Sequence, residues 1–231
     1  MQFSIILDRP KYSGNIGFIA RVMKNFGFED LVIVGDKKID ETAKSRASHA
    51  QDILDNVTRT HDIQEIIDDF DIRVATTGIR GKSEDRFKRN PYLLPKELKK
   101  RFENKSGSCG IFFGKEDHGL NNEVVKECEI VLSIPTSPDY PVMNLSHAVS
   151  IVLYELNDIE EAGKNLASRE ELKSVDDRIE TLFKKINYPN FKKKKTKLIL
   201  KRILGRATLT SREAHTLSGF FRKIFEKIEE E

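Results

Sequence analysis

Three stretches of the chain hold residues with chemistry to offer. In RPKYSGNIGFIARVMKNFGFEDLVIV (9–34), Gly14 and Gly17 flank Asn15, and Arg21 follows on the helix that begins there. A glycine turn ahead of a helix exposes backbone N–H groups, and an arginine adds a permanent cation. In FFGKEDHGLNNEVV (112–125), Gly114 and Gly119 bracket Glu116, a carboxylate expected in a mostly apolar crevice, and Asn121 or Asn122 caps the next helix. In IPTSPDYPVMNLSHAVSIVLYEL (134–156), Pro135, Pro138 and Pro141 stiffen the approach to the most apolar helix of the chain. Asn144 fits that helix's cap position and Ser146 stands just inside it. Taken singly, each group has a bland explanation: a turn, a surface cation, a helix cap. His118 reads as solvated, with no acid partner assignable. An amide, a carboxylate, a hydroxyl and a guanidinium at three strand-to-helix junctions are harder to dismiss together, because open α/β sheets bind ligands where their strands end.

Other chemistries lack their residues. No GxxxxGK[ST] and no GxGxxG follows a strand, which removes the main support for ATP, GTP or a conventional dinucleotide. Cys109 and Cys128 form no CxxC pair, so no metal site is expected and both read as small core residues in a reducing cytosol.

The elements that position the three stretches follow from apolar periodicity. FSIIL (3–7), LVIV (31–34), IRVATT (72–77), CGIFF (109–113) and EIVLSI (129–134) read as buried strands. Amphipathic stretches lie near 15–26, 61–70, 95–102 and 121–128, and a nearly all-apolar one spans 144–156. This alternation predicts a parallel α/β sheet with helices on both faces, a first domain over 1–160. Beyond it the pattern turns wholly helical, near 168–186, 194–204 and 211–228, giving a small all-helical extension over 165–231.

The 40 basic and 37 acidic residues nearly cancel. From Lys184 to Arg206, however, ten cations occur without an acid, which leaves −7 of the overall +3 for the rest of the chain. So one-sided a block attracts a polyanion, with a solvated helix face as the plain alternative. The longest run without a charged residue is 15 residues, Tyr140 to Tyr154, short of the roughly 20 that cross a bilayer. The start MQFSIILDRP lacks the marks of a signal peptide, so a cytoplasmic location with no membrane partner is expected.

The three stretches resemble, in wording, order and spacing, the motifs of the SpoU branch of the SPOUT methyltransferases: GNIGFIAR, FGKEDHGL, and IPTSPDYPVMNLSHAVSIVLYEL. That family transfers methyl from S-adenosylmethionine to an RNA ribose 2′-hydroxyl. The tail segment RILGRATLTSREAHTLSGFFRKI is similar to the extension of tRNA methyltransferases that modify nucleotide 32 of the anticodon loop. The resemblance makes 1–160 the catalytic domain and implies a SPOUT fold with a C-terminal trefoil knot, a homodimer with shared active sites, and tRNA as partner. It implies that Thr77, Gly78, Ile79, Gly114, Ile134, Pro141, Val142, Met143 and Leu145 hold the cofactor, and that Arg21, Asn15, Glu116, Asn144 and Ser146 surround the methyl-transfer point. Family practice makes Arg21 the base. A guanidinium with pKa above about 12 suits a cation that orients the ribose and its phosphate better. The tail's Lys192, Lys193, Lys194, Lys195, Lys197, Lys201, Arg202 and Arg206 are then expected to grip RNA phosphates. Ribosomal RNA 2′-O-methylation and noncatalytic RNA binding are the alternatives; retention of Asn15, Arg21, Glu116 and Asn144 argues against the second.

Overall fold

The computed structural model describes residues 1–78, 88–160 and 163–230. At its centre is β1 (Gln2–Asp8), whose residues alternate between two cores: Ile5 and Leu7 face one, Ile6 the other. It pairs in parallel with β2 (Asp30–Val34) on one side and β6 (Ser108–Phe113) on the other. Outward from β2 lies β3 (Thr58–Thr60); outward from β6 lie β4 (Ile72–Thr76) and β7 (Ile130–Leu132). The sheet order β3-β2-β1-β6-β4-β7 is parallel throughout.

The register brings the strand exits level, with Asp8 opposite Val34, Val34 opposite Thr60, Leu7 opposite Phe113 and Thr76 opposite Leu132. The chain leaving β1 runs toward β2, and the chain leaving β6 runs toward β7 on the other side. The β1/β6 seam is therefore the switch point at which such sheets open a crevice.

One face is covered by α1 (Ser13–Asn25), α4 (Pro95–Phe102) and α6 (Leu145–Leu156), with α2 (Glu41–Ala47) and α3 (Gln51–Asp55) stacked against α1. The other face is covered by the 61–70 segment and α5 (Asn122–Glu127), which bury Ile63, Ile66, Ile67, Phe70, Val124 and Val125. Asn121, Asn144 and Asp40 cap α5, α6 and α2 through their side-chain oxygens.

A two-stranded parallel ribbon, β5 (Lys105–Ser106) with β8 (Lys164–Asn165), leads into the extension of α7 (Arg169–Lys185), α8 (Asn190–Ala207) and α9 (Ser211–Glu229). The extension has a small core of Val175, Ile179, Phe183 and Ala214, ringed by Leu200, Leu204 and Phe221. It is fastened to the sheet domain by charge. Glu129, 4% exposed, accepts from Arg73 at its backbone N and Nε (3.0 and 3.1 Å) and pairs with its Nη2; Arg169 of α7 and Lys201 of α8 stand at 3.7 and 3.8 Å. Burial disfavours ionising Glu129, but the Arg73 hydrogen bonds and the three cations outweigh it and hold its carboxyl below the usual range. Asp68 adds a second clasp, accepting from Arg169 Nε at 2.8 Å and Arg73 Nη1 at 3.2 Å.

Several elements differ from the sequence reading. Residues 61–70 form only a 3₁₀ turn at Ile63–Glu65 followed by further turns; their apolar side chains are buried, and Asp68 within the segment accepts from Arg169 and Arg73. The periodicity gave no sign of α2, because its buried residues are only Ala43 and Ala47. They allow close packing under Gly17, where an added Cβ would lie 2.1 Å from Ala43 O. Gly14 and Gly17 thus lie inside α1 rather than in a turn before it. Edge strand β3, with the sequence TRT, has no apolar alternation to betray it.

Candidate functional site

Glu116, on the loop leaving β6, is the hub. Its Oε2 accepts the backbone N–H of Lys11 at 2.8 Å, and its Oε1 accepts that of Tyr12 at 3.3 Å and the Asn15 Nδ2 amide at 2.8 Å. Helix α1 has no cap from its own side chains; this carboxylate, 101 residues away from Asn15 in sequence, accepts the N–H groups of Lys11 and of the N-cap Tyr12 just before it and complements the positive end of its dipole. Asn15 Oδ1 then accepts from Asn144 Nδ2 at 3.2 Å, and Asn144 Oδ1 accepts from Ser146 N (2.9 Å) and Ser146 Oγ (2.7 Å). A single hydrogen-bonded chain, Glu116 to Asn15 to Asn144 to Ser146, ties the three loops together across the β1/β6 seam. Asn15 and Ser146 are buried, so their rotamers are fixed by their partners.

Beside this chain, over the ends of β6, β4 and β7, lies a cavity of about 170 Å³. Phe113, Leu132, Ile134, Ala148 and Val152 give it apolar walls, and Thr77 and Gly78 close one side. Across from them the 141–143 segment is pinned by the Thr136 hydroxyl, which donates to Pro141 O at 3.0 Å. Gly78 and Val142 approach so nearly that a Cβ on Gly78 would be 3.5 Å from Val142 Cα. Thr77, Gly78, Gly114, Ile134, Pro141, Val142, Met143 and Leu145 all line this one space; Ile79 lies outside the described residues. An adjoining groove shares Glu116 and the 141–143 segment with the cavity and is flanked by Tyr12 and the widely exposed Tyr140. The cavity is an apolar pocket with a polar rim, opening beside an aromatic-flanked groove, the form of a small-molecule site.

Arg21 is not part of this arrangement. Six residues after Asn15, at about 100° each, it lies about 120° around α1. It is exposed there and lines neither the cavity nor the groove. His118 is solvated as expected, and it has an acid beside it that the sequence did not assign: its Nδ1 lies 2.8 Å from Asp117 Oδ1. That contact and a hydrogen bond from Lys11 hold the Asp117 carboxyl down at about 2. Arg89, unremarked in sequence, donates from Nη1 to Thr77 Oγ1 (3.1 Å) and from Nη2 to Leu120 O (2.8 Å), bracing the cavity wall; nothing in the surrounding KRNPY marks it.

The basic block is divided by the fold. Lys192, Lys194 and Lys195 are exposed and Lys193 is partly so. Lys197 pairs with Glu180, and Lys201 with Glu127 and Glu129. Arg202 is a correction: at 1% exposed it is an internal strut, donating from Nη2 to Val125 O (2.5 Å) and Lys88 O (3.2 Å). The helix face that carries it packs onto the sheet domain, where Gly205 meets Glu129. Arg206 is half-buried, with a buried Nη1. Among the described residues no helix is long and apolar enough to cross a membrane, and no group of three or more His, Cys, Asp or Glu could hold a metal ion.

Parallel sheet, loop-spanning polar chain and apolar cavity together place a ligand crevice at the strand ends of an α/β fold. The SpoU rRNA Methylase family matches residues 2–154, and the chain belongs to it. The tRNA (cytidine-2′-O-)-methyltransferase TrmJ of Methanocaldococcus jannaschii is 44% identical over 96% of this chain and 99% of its own length. The crystal structure of TrmJ from Z. mobilis ZM4 superposes with a TM-score of 0.72 at 28% identity, covering 97% of this chain and 99% of that one. AviRb from Streptomyces viridochromogenes, solved with the cofactor AdoMet, shares the fold with a TM-score of 0.54 at 20% identity over 68% of this chain and 59% of its own.

Proposed function

We propose that the chain transfers a methyl group from S-adenosylmethionine to a ribose 2′-hydroxyl of tRNA, at nucleotide 32 of the anticodon loop. The observation that carries this reading is the Glu116–Asn15–Asn144–Ser146 chain at the mouth of the apolar cavity, in a protein 44% identical to a tRNA 2′-O-methyltransferase over nearly all of both chains. The cavity suits the donor: apolar walls for a nucleoside, backbone edges from Gly114, Ile134 and the 141–143 segment for its polar rim, and Glu116 and Asp117 carboxylates near a cationic sulfonium. When bound, S-adenosylmethionine supplies a methyl group on that sulfonium, and its lack of phosphate agrees with the missing phosphate loop.

This chain's own residues then act by placement. Glu116 and Asn144 fix the Asn15 amide, and with it the start of α1, so the polar rim does not reorganise as charge develops on the ribose oxygen. Arg21 acts as a fixed cation that orients the ribose and its phosphate. Its place outside the cavity supports a homodimer in which each site receives Arg21 from the second copy. Exposed Phe18 beside it and Tyr154 on neighbouring α6 give that face apolar area for such a contact. The trefoil threading of the C-terminal part of the catalytic domain, the cytoplasmic location and the grip of Lys192, Lys193, Lys194 and Lys195 on RNA phosphates belong to the same reading.

The test is mass spectrometry of nucleosides after incubating the purified chain with tRNA and S-adenosylmethionine. The expected product is a ribose-methylated cytidine from the anticodon loop, abolished by Arg21→Ala while donor binding persists. Absence of any ribose methyl in tRNA, with methyl appearing in ribosomal RNA instead, would transfer the activity to the other substrate.

A further inference from the structure

The edge that holds the donor cavity has a second half. The cavity occupies the ends of β6, β4 and β7; over the exits of β1, β2 and β3 runs an open groove of about 550 Å³, and the two share Lys115 and Asp117. Four cations line it: Arg9, Lys11, Lys37 and Lys115. Its acids are already engaged, Asp36 with His61 at 3.0 Å and Asp117 with Lys11 (3.2 Å) and His118 (2.8 Å). Lys37 and Lys115 have no ion-pair partner among the described residues. The groove therefore carries more cations than acids beside the loop that bears Glu116.

Arg9 is built into this position at a cost. Its φ of 49° lies in the left-handed region that non-glycine residues avoid, held there by its N–H on Val34 O at 2.9 Å. Gly35 (φ 97°) leaves room for its stem: a Cβ there would stand 3.1 Å from Arg9 Cγ. The guanidinium is steadied by Asp8, 3.2 Å from Nη1, a carboxyl whose pKa burial raises and Arg9 partly restores. The same short segment, Lys11 and Tyr12, donates its backbone N–H groups to Glu116. The groove and the catalytic chain are thus held in one rigid relation. On the other flank the aromatic pair Tyr12 and Tyr140 borders the polar rim, the kind of surface on which an unstacked base lies.

Resting on the methyl-transfer reading above, we propose that this groove binds the phosphodiester backbone next to the methylated nucleotide, with Arg9, Lys11, Lys37 and Lys115 as its phosphate contacts. The substrate strand crosses the β1–β3 half of the edge while the donor fills the β4–β7 half. A row of cations without apolar walls recognises a backbone rather than a base, so these contacts position the strand and carry no sequence information.

The test uses the full chain carrying Arg9→Gln and Lys37→Gln, neither of which touches the donor cavity. Filter binding of unmodified tRNA is measured over a salt series, donor affinity by calorimetry, and folding by thermal melting. For a single strand each phosphate contact contributes about 0.7 to the log–log salt slope, or about five-fold in affinity at 0.1 M salt. The double variant is expected to bind about 25-fold more weakly with a slope shallower by about 1.4, at unchanged donor affinity. Should loss of Arg9 destabilise its turn, Lys37→Gln alone is expected to give half the slope change, and Arg9→Lys to recover most of the affinity. Wild-type affinity and slope in the double variant would overturn the proposal. So would weakened donor binding with tRNA affinity intact, which would assign the groove to the donor's own carboxylate. A wild-type chain that binds no tRNA overturns the proposal and the functional reading together. One that binds tRNA, loses affinity in the variant and never methylates it overturns the functional reading alone.

Discussion

Replacing Glu116 by Gln keeps the side chain's shape and removes one oxygen and one charge, which makes it the cleanest probe of the loop-spanning chain. With its remaining oxygen at the Oε1 position, the Gln amide still accepts from Tyr12 N and Asn15 Nδ2. Its NH₂ then faces the Lys11 N–H across 2.8 Å, donor against donor. A lost charge-assisted hydrogen bond costs about 1.5–3 kcal/mol when buried, and less here because Lys11 is exposed and water repays part; the lost charge at the start of α1 adds about 0.5 kcal/mol. The total is about 2 kcal/mol, a fall in Tm of about 4–8 °C for a chain of this size. Methyl transfer is expected to fall further than stability explains, by about ten- to a hundred-fold in kcat/KM, because a neutral amide holds Asn15 less firmly than the carboxylate does and its NH₂ pushes the Lys11–Tyr12 segment away from the loop. A double-mutant cycle of Glu116→Ala with Asn15→Ala isolates the pair: its coupling is expected at about 1 kcal/mol or more both in melting and in single-turnover rate. Equal melting of wild type and Glu116→Gln, or strictly additive effects in the cycle, would refute the role assigned to the carboxylate.

Gly17→Ala is expected to lower stability by about 1–3 kcal/mol in a thermal melt, since its Cβ would sit 2.1 Å from Ala43 O and force α2 off α1. Arg202→Met is expected to leave tRNA affinity unchanged and to keep or raise the melting temperature, because burial leaves the guanidinium Nε and Nη1 without partners; Lys192→Gln with Lys194→Gln should instead weaken tRNA binding and flatten its salt dependence. Acid should loosen the extension. The unfolded Glu129, at its ordinary 4.5, takes up a proton before the folded one, so its contribution is complete above that pH and disappears as pH falls through the lowered folded value. Melting curves across that window should be steeply pH-dependent in the wild type and flatter in Glu129→Gln.

The sequence made the buried strands and the three loops legible because both rest on local signals: apolar runs with β-branched residues for β1, β2, β4, β6 and β7, and Asn, Gly and Pro at their exits. It could not show that Glu116 caps α1, since that hydrogen bond joins residues more than a hundred positions apart. Helix α2 escaped for the opposite reason to most omissions: its packing face is so close to α1 that only alanine fits, and alanine has no periodic hydrophobic signature. Arg21 was legible as a residue and not as a place; helical phase puts it outside its own chain's cavity. Arg9 drew no notice because a surface-type residue at a strand exit has no local mark of a left-handed backbone.

The charge of the basic block illustrates how composition overstates a binding surface. Ten cations stand between Lys184 and Arg206 without an acid among them, yet the fold supplies acids from elsewhere: Glu229 to Lys185, Glu180 to Lys197, Glu127 and Glu129 to Lys201. Arg202 is spent inside the joint. The lysines at 192–195, near the N-terminal end of α8, are exposed or partly exposed, and no acid is in ion-pair contact with Lys192, Lys193 or Lys194 among the described residues. Under the proposed function, a grip that narrow would hold an RNA by one point and leave it free to pivot. Orientation of a single ribose against Glu116 then needs a second set of cations fixed to the sheet domain itself, and the clasp of Glu129 with Arg73, Arg169 and Lys201 keeps the two sets at a constant separation. Weakening that clasp is therefore expected to damage turnover on tRNA before it damages donor binding, although none of its residues lines the cavity.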